Sequence, residues 1–291
     1  TLQEPVRFRH RNFYGTYTIW DVAAHPHDVR QLLHGRTIHG AQLLDPEERL
    51  TPIMYYFIGG GIADVYETTP PVRRMAVLGL GAGAAASYVK PGETMVFYEI
   101  DPDNEGIARH WFSFLGESKG DVRVIVGDGR LAMQNSDRRE PPYDIIHMDA
   151  FTGDGIPTHL LTREAVQIYL ERLKDDGVIL FHVSNRYYEL RPVIKAIAAR
   201  LGLAGAINVP TPKTQLKANQ SATWCVVLAR DPERLTALLR RGWIPLGPGD
   251  GLKDVAPWTD DYINIMLPLR DGMRERWDGF DFAGWLKSLR P

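Results

Sequence analysis

The feature that most constrains the fold is an ordered series along the chain: Gly79-Leu80-Gly81-Ala82-Gly83, then Glu99, then Asp128, then Asp149. Each member stands where a run of apolar, strand-forming residues ends. In an open parallel sheet the ligand lies beyond the carboxyl ends of the strands, so four successive strand ends carrying Gly or an acid converge on one cavity. The series therefore predicts an α/β fold with an adenosine-binding crevice.

Up to about Glu67, polar and apolar residues alternate in short runs broken by Gly, Pro and Asp, as in Val6-Arg7-Phe8-Arg9-His10-Arg11 and Tyr14-Gly15-Thr16-Tyr17-Thr18-Ile19-Trp20. This predicts a small antiparallel β domain over residues 1–67, with Arg7, Arg9 and Arg11 on one solvated or interface face. After Thr68-Thr69-Pro70-Pro71 the texture changes to apolar runs separated by helix-like segments, the pattern of a Rossmann-type (class I methyltransferase-like) parallel sheet over residues 68–291. Strands are expected at 75–78, 94–99, 122–126, 144–148, 178–183 and 223–228, and amphipathic helices at 104–115, 162–173 and 191–201. The loops 210–221 and 245–257 are long enough to cover a site.

With a net charge of −2 over 291 residues, the chain has no field pointing to nucleic acid or anionic lipid, so a small-molecule partner is expected. The one cysteine, Cys225, lies in the apolar run Trp224-Cys225-Val226-Val227-Leu228; it excludes an internal disulfide and suits a reducing, cytoplasmic compartment. No run approaches the ~18 apolar residues that span a bilayer. The first residues, Thr1-Leu2-Gln3-Glu4-Pro5, lack both an initiator Met and signal-peptide features, which suggests a processed or excised segment and leaves room for a membrane tether upstream.

Glycines at 79, 81 and 83 let the backbone turn tightly and approach a ligand closely. The same spacing suits a dinucleotide site, an S-adenosylmethionine site, or a tight turn with no ligand. Glu99, with Ile100 beside it, ends a strand about one βα unit later, where a carboxylate can accept both hydroxyls of a ribose. Asp101 and Asp103 are better suited to capping a helix. Asp128, in Gly127-Asp128-Gly129, can accept from an adenine amino group or form an ordinary Asp-Gly turn. Asp149 closes Tyr143-Asp144-Ile145-Ile146-His147-Met148-Asp149 and opens a Gly-rich loop, a position that faces the reacting part of a ligand. His147 and His182 lie within strands and are expected in the core, His159 in the loop is a functional candidate, and no cluster has metal-ligand spacing.

Through Arg36-Thr37-Ile38-His39-Gly40-Ala41-Gln42, Tyr55-Tyr56, the glycine loop, Tyr98-Glu99-Ile100-Asp101, Gly127-Asp128-Gly129 and Tyr143 to Asp149, the chain resembles the spermidine synthase superfamily over roughly residues 10 to 205. Arg11-Asn12-Phe13-Tyr14-Gly15, Ser184-Asn185-Arg186-Tyr187 and Trp258-Thr259-Asp260-Asp261-Tyr262 resemble the branch fused behind a membrane transporter-like domain. The resemblance implies an aminopropyltransferase, a homodimer and no metal, with S-adenosylmethionine or its decarboxylated form as cosubstrate. It assigns methylthioadenosine binding to Gln42, Gly79, Gly81, Gly83, Glu99, Ile100, Asp128, Gly129 and Asp149. Asp149 maps onto the catalytic acid, with Tyr55 beside it and Tyr56 and Asn185 lining the substrate pocket, while Asp154, Asp260 and Asp261 are this chain's own candidates to replace the family's missing acids, Asp154 in the catalytic group and Asp260 and Asp261 toward a substrate such as a polyamine.

The chain departs from the family pattern at Ala82 and Thr152, where the family carries acids, and at Phe57-Ile58. A carboxylate at 82 would grip the amine tail of the decarboxylated donor and repel the carboxylate of the intact one, so Ala82 predicts tolerance of intact S-adenosylmethionine. Two reactions remain open: transfer to an amine, and cleavage of intact donor to methylthioadenosine and homoserine lactone by its own carboxylate, which gains a large effective molarity. Methyl transfer is a third reaction that the same fold serves.

Overall fold

The computed structural model describes residues 6–23, 27–150, 155, 157–185, 187–266 and 268. The chain opens with β1 (Val6–Arg11), β2 (Thr16–Val22), β3 (Val29–His34) and β4 (Thr37–Leu43), an antiparallel meander in the order β1-β2-β3-β4. Strand alternation sets its two faces. Arg7, Arg9 and Arg11 are exposed, whereas Tyr17, Ile19 and Leu32 are buried and join the core of the larger sheet.

Helix α1 (Gly61–Thr68) follows, then β5 (Arg74–Leu78), β6 (Thr94–Glu99), α2 (Pro102–Trp111), β7 (Asp121–Val126), α3 (Gly129–Asn135) and β8 (Tyr143–Met148). The rest comprises α4 (Arg163–Arg172), β9 (Leu173–His182), α5 (Arg191–Leu201), β10 (Ala204–Ile207), β11 (Cys225–Ala229), α6 (Thr236–Arg240) and β12 (Ile244–Pro245). The eight strands of this second sheet lie in the order β12-β10-β11-β9-β8-β5-β6-β7. All six strands expected from sequence are present. The last of them, β11, runs antiparallel to both β9 and β10. The α5 crossover delivers β10 two positions from β9, and the chain then turns back so that β11 fills the gap between them. Ala204-Gly205-Ala206-Ile207 is too short and too poor in β-branched residues to announce β10 from sequence.

The central strands are apolar along their whole length because helices cover both faces. Met75 and Val77 of β5, Met95 and Phe97 of β6 and Ile145 of β8 enter one core. Their neighbours Ala76, Leu78, Val96, Tyr98, Ile146 and Met148 enter the other. Ile62, Val65 and Tyr66 of α1 belong to the first core, and α1 packs on β9 and α6, so this helix is built onto the large sheet, whereas Ile53 packs with Val29, Ala41 and Leu43 of the small one.

From β5 the chain winds outward to β6 and β7, then returns to place β8 on the other side of β5. The two neighbours are left in opposite directions, and a crevice opens between their carboxyl ends. Asp149 is stitched to that point by its amide, which donates to the Leu78 carbonyl at 2.9 Å.

Strand β4 lies directly on the glycine loop. Gly81 has φ +53°, and a Cβ there would stand 2.4 Å from the His39 carbonyl oxygen; a Cβ at Gly40 would stand 2.5 Å from that of Ala82. Ala82 is 1% exposed and does not line the crevice, which corrects the expectation that its side chain faces a ligand. Ala82→Asp is therefore expected to bury an unpaired carboxylate at this contact and to destabilise the protein by about 3 kcal/mol or more, with no change of donor preference. Urea unfolding checks this, with Ala82→Gly as a mild control; an unchanged midpoint for the Asp variant would overturn the packing argument.

Candidate active site

A cleft of about 850 Å³ opens at the switch point and is lined from both sheets, a size suited to one small organic molecule. Tyr14, Leu32, His34 and His39 come from the small sheet, and Gly79, Gly81, Glu99, Ile100, Asp128, Gly129 and Asp149 from the strand ends of the large one. The four positions of the opening series thus do meet.

Gly79 has φ +99°, and a Cβ on it would come within 2.4 Å of the Asp149 carbonyl oxygen. Its place is thus demanded by backbone geometry, and the same geometry bares the loop to the cleft. Gly83, also assigned to the ligand from sequence, does not line the cleft: with φ +81° it starts the 3₁₀ turn at Ala84–Tyr88 and packs against Leu115.

Glu99 is 8% exposed. Its Oε1 accepts from the Asp101 amide (2.9 Å), and its Oε2 accepts from the Leu80 amide (3.1 Å) and Asn104 Nδ2 (3.0 Å). Burial pushes its carboxyl above the usual range. Three of roughly four lone-pair positions are occupied, which leaves room for one further hydroxyl rather than the expected pair. Asp101 caps α2, accepting from the Asp103 amide, and also accepts from Asn12 Nδ2 at 2.8 Å, tying the small sheet to α2. Asp128 lines the cleft, where its Oδ1 caps α3 through the Leu131 amide (2.9 Å) and its Oδ2 meets His159 Nε2 (2.9 Å).

At the other end stands Asp149, 16% of its side chain exposed. The Tyr56 hydroxyl donates to its Oδ2, and His182 Nδ1 lies 2.6 Å from its Oδ1. Burial alone would raise this carboxyl. The His182 imidazole and its hydrogen bond, then His147 and Tyr56, outweigh it and hold the group at about 2. His182 was expected to be a buried core residue. It is buried, but it lines the cleft, stacks at a tilt on Tyr55 with ring centroids 5.2 Å apart, and meets Ser184 Oγ through Nε2 at 2.8 Å. The strand-end rule that singled out Asp149 applies equally to His182, the last residue of β9. His147 fits the core expectation, fully buried with Nδ1 3.1 Å from the Tyr66 hydroxyl.

The remaining assignments divide. Asn185 lines the cleft, its Oδ1 accepting from the Tyr187 and Tyr188 amides. Gln42 does not line it: Nε2 donates to the Arg49 carbonyl (3.0 Å) and Oε1 accepts from the Ser113 amide (3.2 Å), so this side chain clamps the two sheets. Asp260 is likewise turned away, holding Arg130 at 2.8 and 2.5 Å and the Thr162 hydroxyl at 2.8 Å, and Asp261 is exposed outside the cleft. Asp154 lies outside the described residues. Of the two long loops, 210–221 covers the cleft through Lys213, Leu216, Lys217, Gln220 and Ser221; residues 245–257 contribute nothing to it. Among the described residues there is no group of three metal-ligating side chains, and no helix is long and apolar enough to cross a membrane.

The fold is a methyltransferase-like Rossmann sheet joined to a small antiparallel sheet, and that combination is found in solved structures. A probable spermidine synthase from Corynebacterium glutamicum matches over 91% of this chain and 100% of its own, with TM-score 0.61 and 14% identity. A spermidine synthase in complex with the transition state analogue AdoDATO matches over 88% and 83%, with TM-score 0.55 and 14% identity. In sequence, the polyamine aminopropyltransferase of Vibrio vulnificus is 30% identical over 159 residues, 53% of this chain and 52% of that relative. The chain thus spans about half the length of the polyamine aminopropyltransferases that it matches. No family model matches it. Over about half its length the chain is similar in sequence to polyamine aminopropyltransferases, and its fold is shared with solved spermidine synthases.

Removing the hydroxyl with Tyr56→Phe takes one donor from a buried carboxylate and is expected to cost about 1–3 kcal/mol at pH 7. Because the folded-state carboxyl sits below its usual value, its stabilisation is present above the usual carboxylate range and is lost as pH falls toward 2. The difference between wild type and variant in urea unfolding should therefore shrink between about pH 4 and 2; a gap independent of pH would show that the hydroxyl does not act on Asp149.

Proposed function

We propose that the cleft binds S-adenosylmethionine or its decarboxylated form and that an amine displaces the sulfur in an aminopropyl-type transfer, releasing methylthioadenosine. The observation that carries this is an ionised carboxylate, Asp149, at the switch point beside the glycine loop. Gly79, Gly81, Ile100, Asp128 and Gly129 would hold the nucleoside, with Glu99 accepting one ribose hydroxyl. The name of the Vibrio vulnificus relative supports the same chemistry.

An alkylammonium must lose a proton before its nitrogen can attack carbon. The nitrogen lone pair then forms the new C–N bond at the carbon beside sulfur, and the C–S pair returns to sulfur, leaving a neutral thioether. Positive charge moves from sulfur to nitrogen during this step, and the fixed anion of Asp149 stabilises it as it moves. Tyr55, Tyr56 and Asn185 would form the acceptor wall.

Cleavage of the intact donor without an acceptor is favoured by one observation. Lys213 and Lys217 line the mouth of the cleft and pair with no acid among the described residues, so a donor carboxylate has cations to meet there, while a diamine's second ammonium has none of the family's extra acids.

Product analysis after incubation with each donor form, with and without putrescine, separates the two. Methylthioadenosine released only with amine is the expected result; release from intact donor alone would establish the acceptor-free reaction, and methylated product would overturn both. Asp149→Asn should lower turnover by about 10²–10⁴-fold while donor affinity stays within about threefold. Full turnover in that variant would remove Asp149 from the reaction.

A further inference from the structure

Resting on the transfer reaction just described, we infer that the proton of the attacking ammonium leaves through Ser184 to His182, with Asp149 as the anion that braces the imidazole. His182 is the base, and Ser184 is the group that touches the substrate.

The geometry is a continuous chain of hydrogen bonds leading inward from the cleft. Ser184 lines the cleft, and its Oγ accepts from the Trp224 amide at 2.8 Å. A hydroxyl has one donor, and with that amide in one acceptor position its own proton is directed to His182 Nε2, 2.8 Å away. This requires a lone pair on Nε2 and the ring proton on Nδ1. Nδ1 lies 2.6 Å from Asp149 Oδ1, an ionised acceptor that selects that tautomer. One lone pair of Ser184 remains, and it can take an N–H of the substrate. In one concerted movement the ammonium proton passes to Ser184 and the Ser184 proton to His182. The freed amine attacks carbon, the C–S pair goes to sulfur, and the imidazolium next to Asp149 later returns its proton to solvent by the same path.

Asp149 itself is badly suited to keep a proton. Both of its oxygens are engaged, by Tyr56 and by His182, and its carboxyl sits at about 2. Among the described residues, the following groups that face His182 stay uncharged at neutral pH. His147 on β8 and His39 on β4 are each pulled down to about 4 by burial, and burial pushes up the Tyr56 hydroxyl and the thiol of Cys225, which pairs with His182 across β11. Tyr55 contributes a ring face.

The test is the pH profile of kcat for methylthioadenosine release with saturating donor and amine, in wild type, Ser184→Ala and His182→Gln. Wild type is expected to lose rate on acidification with the slope of a single proton. Each variant should fall about 10²–10⁴-fold in kcat with donor KM within about threefold, and should lose the plateau above that limb, its rate continuing to rise about tenfold per pH unit through the alkaline range as free amine accumulates. Ser184→Ala leaves the buried His182–Asp149 pair whole, so it carries the test if His182→Gln fails to fold, and Ser184→Thr should restore the plateau. A Ser184→Ala enzyme with wild-type rate and acid limb would overturn the relay while leaving transfer intact. A wild type that releases no methylthioadenosine in the presence of amine would overturn the transfer reaction and the relay together.

Discussion

Everything at the site depends on backbone approaching backbone without side chains between. The loop after β5 is pressed from one side by the Asp149 carbonyl and from the other by His39 and Gly40 of β4, at distances where a Cβ would collide. Gly79, Gly81 and Gly40 are therefore packing residues before they are binding residues, and Ala82 is buried at the same contact. This contact sets the small sheet over the carboxyl ends of the large one and so gives the cleft its roof. The clamp of Gln42 and the Asn12–Asp101 pair hold the same two bodies from either side.

On that scaffold sits a buried polar chain from Tyr56 through Asp149 and His182 to Ser184. Such chains are costly when any member lacks a partner and rigid when all are satisfied. Here the satisfaction is nearly internal, so the carboxylate enters the cleft already ionised and already oriented. The remaining open positions, one on Glu99 and one on Ser184, are where a ligand completes the network.

Strand ends were legible because an apolar run stopping at Gly or an acid is a local pattern. Glu99, Asp128 and Asp149 fell on the cleft for that reason. Side-chain direction beyond the strand end was not legible. Gln42 and Asp260 are polar residues in plausible places, yet their partners, Arg49, Ser113, Arg130 and Thr162, are chosen by how loops return to the sheet. His182 is buried, as its place within an apolar strand predicts, and it lines the cleft as well, because burial within a strand does not exclude a strand end from the site. The antiparallel return of β11 also escaped, since an apolar strand carries no record of its direction.

By itself the sequence determined the alternation of strand and helix, the order of the strand-end residues and the need for left-handed glycine at 79 and 81, all of which follow from periodicity and φ preference within a few residues. Tertiary structure alone decided that β8 returns beside β5, that β4 covers the glycine loop, and that Asp149, His182 and Ser184 join in one line. Those contacts connect residues far apart in the chain, and the distances that define them are set by packing of the whole sheet, which no local pattern encodes.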